Sequence, residues 1–373
     1  MPKIVQSRAK NLFNLADTPM NREKAWPLKE PKNIIIRMPN WLGDLVMATP
    51  IIQDVREKWP HASITAMCQS NVAALLENDP HLTEIYSFNK PTGWIHRQHH
   101  LDIIDSIKHG EYDLGILLTN SFSSAWKFWR GGVKNRIGFA GNLRNMFLNK
   151  AVQFPENKDN QHLVLTYKSL LEPMGISPSN TLPALYISNE ENKNAQRLLK
   201  LEGYDPQNQI LIGVNPGAAY GSAKCWLPDR FHALTHKLLE DPRIVVAFFG
   251  DQAGASLVND ICKGFNSRVI NFAGKTSIRE LMALIACCRA MLTNDSGPMH
   301  IAAALKVPLV ALFGSTSAIK TGPYGGGIII HKHVACSPCY KRVCPIDFRC
   351  MKQIEVDEVY QALRNQISPT LIN

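Results

Sequence analysis

The sequence predicts an α/β protein built from two Rossmann-like, doubly wound domains that face each other across a cleft. Three observations carry that expectation. The chain has 373 residues, too long for one ordinary domain and about right for two. Short β-branched runs alternate with helical patterns, as in parallel sheets covered on both faces. The alternation restarts near residue 205, and each half opens on a strand followed by a glycine-containing loop.

Ordered structure is expected from Asn33 onward. NIIIRM (33–38) reads as a strand, PNWLGD as a tight loop and TPIIQDVREKW as an amphipathic helix. SITAMC (63–68) and TEIYSF (83–88) are further strands, with a helix over NVAALLEND between them. After the His-bearing WIHRQHH come a helix near 100–109, the strand LGILLT (114–119), a helix from Ser121 and a short strand around RIGFA. The charged helix NEENKNAQRLLKLEG leads into the second half, where strands are expected at 209–214, 244–249, 268–272, 290–293 and 308–313. Helices fall at DRFHALTHKLLED, at about 254–264, 277–288 and 297–305, and at 354–366. The expected organisation is an arm over 1–32, domains over 33–190 and 205–335, a cysteine-rich loop at 336–350 and a tail at 351–373.

Hydrophobic residues make up 45 % and charged residues 19 %, so the chain can bury a sizeable core and is not a disordered tail. The formal charge of +10 points to anionic partners: a phosphorylated substrate, a lipid surface or nucleic acid. Residues 1–32 hold seven basic and three acidic residues but lack the apolar stretch of roughly 7–15 residues of a secretory signal. They are expected to form an uncleaved arm of a cytoplasmic protein. The most apolar tracts, LMALIACC and VPLVALFG, are far shorter than the roughly 20 residues that span a bilayer.

Ligands of open α/β sheets bind beyond the carboxyl ends of the strands, which directs attention to the loops after the strands at 33–38, 209–214, 244–249 and 290–293, three of which carry the clearest groups. In the first, Gly43 lets the backbone turn sharply and approach a ligand. Asp44 follows at a helix start, where position alone makes it a simple cap, with a catalytic base as the alternative. The second loop, Asn215–Trp226, joins Gly217 and Gly221 to Lys224 and suits a phosphate, although an ordinary βα connection with a surface lysine reads equally well. It has neither Walker nor GxGxxG spacing. In the third, Asp295 and Ser296 stand at a helix entrance, Gly297 opens the first turn, and His300 lies one turn inside. That helix N-terminus is open to an anion, and His300 is either a donor to the same ligand or a packed histidine.

NxxGDxVMxTPxIQ in the first loop, NPGAxxGxAKxWxP in the second and TNDSGPMHIAAALxxPxVALFGSTS in the third resemble the ADP-heptose:lipopolysaccharide heptosyltransferases, glycosyltransferase family 9. The likeness spans roughly residues 33–320 and includes NSFSSAWKFWRGGVKNRIGF (120–139). It implies a GT-B fold with an N-terminal acceptor domain, a C-terminal nucleotide-sugar domain and a last helix returning to the first domain. The implied reaction is inverting transfer of L-glycero-D-manno-heptose from ADP-heptose to a heptose of the lipopolysaccharide inner core.

On that resemblance Asp44 is the base that takes the acceptor proton, while Lys224 and the helix start at Ser296 and Gly297 meet the departing diphosphate. Gly217, Thr276, Asp295 and His300 line the ADP site, and Asp251 lies near the ribose. Gly43, Ser121, Phe122 and Arg136 border the acceptor, with Lys127, Arg130 and Lys134 beside them as a basic face that is otherwise simply solvated. No cofactor is implied, and no DxD-like metal motif occurs at these loops. The implied partners are ADP-heptose, the lipid A-linked inner core and the inner-membrane surface, with peripheral placement on its cytoplasmic face and no nucleic acid. Another family 9 enzyme with a different acceptor is the nearest alternative. An NAD-dependent Rossmann enzyme would need a GxGxxG after the first strand, which PNWLGD lacks.

Nine cysteines remain, four of them crowded into Cys336-x2-Cys339-x4-Cys344-x5-Cys350. The odd total argues against a fully paired secreted framework. Zinc through four thiolates, reduced structural cysteines and a conditional disulfide are all compatible with this spacing.

Overall fold

A computed structural model describes residues 30–90, 97–265 and 267–367. The expected arm therefore lies outside the described residues except for its last three, as does the first half of WIHRQHH. The first sheet contains β1 (Asn33–Arg37), β2 (Ser63–Gln69), β3 (Glu84–Phe88), β4 (Leu114–Leu117), β5 (Asn135–Phe139) and β6 (Lys150–Val152). The second contains β7 (Ile210–Asn215), β8 (Ile244–Phe248), β9 (Val269–Asn271), β10 (Ala290–Asn294), β11 (Leu309–Phe313) and β12 (Ile328–His331). Strand orders are β3-β2-β1-β4-β5-β6 and β12-β11-β10-β7-β8-β9, and every pairing is parallel. Read from the outer strand inward, the two sheets have the same winding, with their switch points at β1/β4 and β7/β10.

The apolar runs that predicted strands are the central ones, buried on both faces: β4, β8, β10 and β11 are buried at every position. The edge strands β6 and β12 escape the sequence reading because they are only three and four residues long and only partly buried. Two helical expectations are revised. NVAALLEND shrinks to a four-residue turn at Ser70–Ala73 and a 3₁₀ turn at Ala74–Leu76. TPIIQDVREKW belongs to a pair of helices, Leu42–Ala48 and Pro50–Lys58, because Pro50 lacks the N–H that would continue the first. Thr49 closes the break, its hydroxyl donating to Val46 O at 2.8 Å and accepting from Ala184 N at 3.1 Å.

The last helix, Val356–Ile367, does not return to the first domain. Val359, Leu363 and Ile367 form a stripe buried with Ile212, Val214 and Leu312 of the second sheet. Trp226 Nε1 donates to Ile354 O at 3.0 Å and Lys237 pairs with Asp357 at 2.6 Å, so polar contacts reinforce the same docking. The apolar stripe finds the open face of the nearer sheet, and the path back to the first is not needed.

The two sheets are joined by a continuous apolar cluster that includes Ile34, Ile51 and Ile64 from one half and Met282, Ile285 and Met299 from the other. Arg279 ties the rim of this junction. Its guanidinium meets Glu191 at 2.6 Å and donates to Ala74 O at 3.0 Å and Tyr186 O at 2.8 Å. The hydrogen bonds from Arg279 hold the Glu191 carboxyl down at about 2. A carboxyl depressed in the folded state contributes stability that is complete above its unfolded value and is lost as pH falls toward the folded one. Arg279→Ala is expected to lower thermal stability at pH 7 by about 2 kcal/mol or more. The gap from the parent should narrow below about pH 4.5, measured by thermal unfolding across pH. A gap that stays constant down to pH 3 would show that the ion pair is not the source.

Candidate active site

Both switch points open into the space between the domains. From the first sheet, the loop after β1 turns into the helix Leu42–Ala48, whose N-cap position is occupied by Trp41, not by a capping side chain. Asp44 thus sits at the third helical position, which removes the reading of this residue as a simple cap. Arg37 holds the loop that leads there: it is 5 % exposed, donates to Asn40 Oδ1 at 2.5 Å and packs 4.9 Å from the centre of the Phe88 ring.

From the second sheet, the helix Gly297–Ala304 starts after β10 and crosses the helix Leu42–Ala48 at very short range. A methyl group added at Gly43 would lie 2.7 Å from His300 Cδ2, and one added at Gly297 would lie 2.6 Å from Leu42 Cδ2. Glycine is needed at both positions for the backbones to approach. His300 therefore packs on Gly43, is only 5 % exposed, and has its imidazole pushed down to about 4, chiefly by burial. It is neutral at pH 7 and fits the packed-histidine alternative.

The crossing sets Asp44 beside the loops of the other domain. Burial pushes its carboxyl up to about 6, the nearby Lys224 ammonium opposes the rise, and Asp295 adds to it. Lys224 Nζ bonds Asp295 Oδ2 at 2.6 Å, and Thr316 Oγ1 donates to the same oxygen at 2.5 Å. Asp295 thus orients the lysine. Amide side chains stitch the switch point: Asn294 accepts from Trp226 N at 3.1 Å and donates to Pro216 O at 2.7 Å, and Asn215 donates to Ser296 Oγ at 3.3 Å. Ser296 is the N-cap of its helix but makes no side-chain cap bond; Pro298 has no N–H and Met299 N bonds Ser296 O at 3.1 Å, so the N–H groups of Ser296 and Gly297 are the ones left for a ligand at the β10 end of the helix. Gly217 faces open space, with nothing within 4 Å of an added methyl.

The remaining expected residues divide. Asp251 accepts from Gly254 N at 2.8 Å in the exposed loop after β8, and Thr276 lies after β9, so both belong to the flank of the second sheet and not to the Asp44–Lys224 cluster. Ser121 caps the helix Phe122–Arg130 by accepting from Ser124 N at 3.2 Å, and stays exposed at the end of β4. Phe122 beside it is 46 % exposed. Arg136 does not border the cleft. Its guanidinium donates to Phe147 O at 2.5 Å and to Val133 O, at the entry to β5, which is the end of the strand away from the site. Lys127 is buried and Lys134 pairs with Asp113 at 2.9 Å, so the basic face is partly internal.

Three residues of the site escaped the sequence reading. Arg144 is fully buried and donates to Thr119 O and to Phe139 O at 2.8 Å, clasping the cleft ends of β4 and β5. Tyr167, from the helix Leu163–Ser169, is buried, and burial with the Asp44 charge keeps its phenol protonated. Thr316 follows β11 at the FGSTS end of the third motif, which by itself gives it no role. Arg144 and Tyr167 stand in no segment with clear periodicity and no glycine-rich loop. Trp41, 60 % exposed at the lip beside Asp44, was legible only as part of its motif.

All nine cysteines lie among the described residues as free thiols. No group of three or more His, Cys, Asp or Glu among the described residues is arranged to hold a metal ion, and no described helix is long and apolar enough to cross a membrane.

The profile of glycosyltransferase family 9 (heptosyltransferase) matches residues 101–348. The chain is 32 % identical to lipooligosaccharide heptosyltransferase 2 of Haemophilus ducreyi, over 80 % of this chain and 87 % of that one. It is 31 % identical to lipopolysaccharide heptosyltransferase 2 of Escherichia coli, over 78 % of this chain and 85 % of the relative. The solved structure of E. coli ADP-heptose lipopolysaccharide heptosyltransferase II superposes with a TM-score of 0.75 and 26 % identity, covering 90 % of this chain and 98 % of that one. The two parallel sheets form a GT-B fold, and the chain belongs to glycosyltransferase family 9, the heptosyltransferases.

Proposed function

We propose that this protein transfers L-glycero-D-manno-heptose from ADP-heptose to a heptose of the lipopolysaccharide inner core, the reaction of the type 2 enzymes it resembles. The observation that carries the mechanism is the convergence of a half-buried, desolvated carboxyl from one domain with an oriented ammonium from the other. The second domain takes the nucleotide sugar, and the first takes the lipid-linked acceptor.

Asp44 is the general base. A carboxyl near 6 is largely ionised at neutral pH, yet basic enough to receive a proton from the attacking hydroxyl. As that oxygen bonds to the anomeric carbon, the bond to the diphosphate breaks and negative charge grows on the leaving group. Lys224, oriented by Asp295, and the N–H groups at Ser296 and Gly297 stabilise that charge before solvent can respond. Gly217 leaves room for the phosphates. Asp251 and Thr276, on the β8 and β9 flank, suit the nucleoside end. Neutral His300 acts by seating the two domains. At the acceptor edge, exposed Trp41, Ser121 and Phe122 meet the sugar, and Arg144 positions the loop that carries Ser121. A lipid-linked acceptor brings the chain to the cytoplasmic face of the inner membrane, in keeping with its charge of +10.

Asp44→Ala is expected to reduce turnover by about 10²–10⁴-fold while changing ADP affinity by less than about threefold. Turnover and titration of the purified variant check it, and full turnover would remove the base assignment. With the parent enzyme, kcat/KM for the acceptor should fall as pH drops through about 6, the deprotonated carboxyl being the active form. A profile flat from pH 5 to 8 contradicts this. Gly43→Ala should lower kcat at least about tenfold by driving a methyl into the His300 ring. Products formed from ADP-heptose and defined truncated lipopolysaccharides test the acceptor. Transfer only to acceptors lacking the first heptose would favour a type 1 reading.

A further inference from the structure

The cysteine-rich loop at 336–350 is absent from the chemistry above, yet it is docked onto the loop that carries Lys224. Gly221 has φ +153°, and a methyl group there would lie 2.3 Å from the Arg342 carbonyl oxygen. That same oxygen accepts from Ala223 N at 3.0 Å. Tyr220 donates its hydroxyl to Tyr340 O at 2.7 Å, and Tyr340 N donates to Ser315 O at 2.7 Å, next to the Thr316 that holds Asp295. The loop is thereby attached to both elements that position the Lys224–Asp295 pair.

The side chains continue this docking. The Tyr220 ring has two cations within 5.3 Å of its centre, Lys224 Nζ at 4.9 Å and Arg342 Cζ at 5.3 Å. Lys224 is compensated by Asp295. Arg342 is exposed and makes no ion pair among the described residues. A ring quadrupole attracts each cation but offsets little of their mutual repulsion at an exposed site, where the contact contributes only about 0.5–1 kcal/mol. A multivalent anion that reaches both cations would complete the charge balance. Guanidinium is suited to that role because its planar fork takes two oxygens of one phosphate.

We propose that Arg342 is a donor-binding residue: docked on the same Tyr220 ring that Lys224 meets, its guanidinium reaches the diphosphate of the nucleotide sugar together with the Lys224 ammonium. The inference rests on the donor-site reading of the second domain and extends it to a loop outside the three motifs. The cysteine-rich segment is then the third wall of the donor site, brought there by the close approach at Gly221.

Titration of the full-length protein with ADP and with adenosine separates phosphate recognition from general damage. Arg342→Gln is expected to weaken ADP about three- to tenfold and to leave adenosine within about twofold, because adenosine has no phosphates to grip. Arg342→Lys should recover part of the loss, and Tyr220→Leu should reproduce it. In turnover the Gln variant should lower kcat/KM for ADP-heptose, with part of the loss in kcat, because the diphosphate that Arg342 grips is also the leaving group on which charge grows. Equal ADP affinity for parent and Gln variant overturns the proposal, as does an equal loss of adenosine. A parent that does not bind ADP at all overturns the donor-site reading instead.

Discussion

The close crossing of the helices Leu42–Ala48 and Gly297–Ala304 is the constraint on which the site depends. Each helix follows the central strand or its switch-point neighbour in a different sheet, and each contributes a glycine where the other needs room. With side chains at these positions the axes would have to separate, and Asp44 would leave the neighbourhood of Lys224 and Asp295. Because the crossing is tightly packed, it also sets the electrostatics. The same burial raises Asp44 and lowers His300, so one residue becomes a competent base and the other stays a neutral spacer.

Two carboxylates near one another then take different parts. Asp295 is fixed by Lys224 and Thr316, and its charge is balanced within its own domain. Asp44 comes from the opposite domain and feels Lys224 only at longer range, so desolvation governs it. Environments that push two acids apart in this way are how a site separates a proton acceptor from a structural anion. The amides of Asn215 and Asn294 make the arrangement rigid by tying β7, β10 and the Lys224 loop together. Electrostatic stabilisation of a leaving group depends on such preorganisation more than on the number of cations present.

The central strands, the βα alternation and the three chemically informative loops were legible because their signals are local. A strand buried on both faces must be apolar throughout, and a backbone that approaches a ligand or another helix must carry glycine. The less legible features are those whose meaning depends on a distant partner. Arg136 looks like a cleft cation in sequence, but the carbonyls of Val133 and Phe147 hold it at the wrong end of β5. Arg144, seven residues beyond Ile137, reaches the cleft ends of two strands from a segment with no periodicity. Asp44 reads as a cap until the chain shows that its helix starts at Leu42.

By itself the sequence determined two α/β halves, the order of their strands along the chain, and which loops hold an acid, a lysine and an open helix start. These follow from side-chain period, glycine position and residue chemistry within a few residues. Tertiary structure decided which charges are compensated, which face receives the last helix, and which residues from the two halves meet. Val359, Leu363 and Ile367 make a stripe that would fit either sheet, and only the packed second sheet, with Trp226 and Lys237 beside it, selects one. Burial and pairing are properties of the surroundings, so no local pattern could state that the Asp44 carboxyl is raised, that His300 is neutral, or that Arg342 lies against the Tyr220 ring.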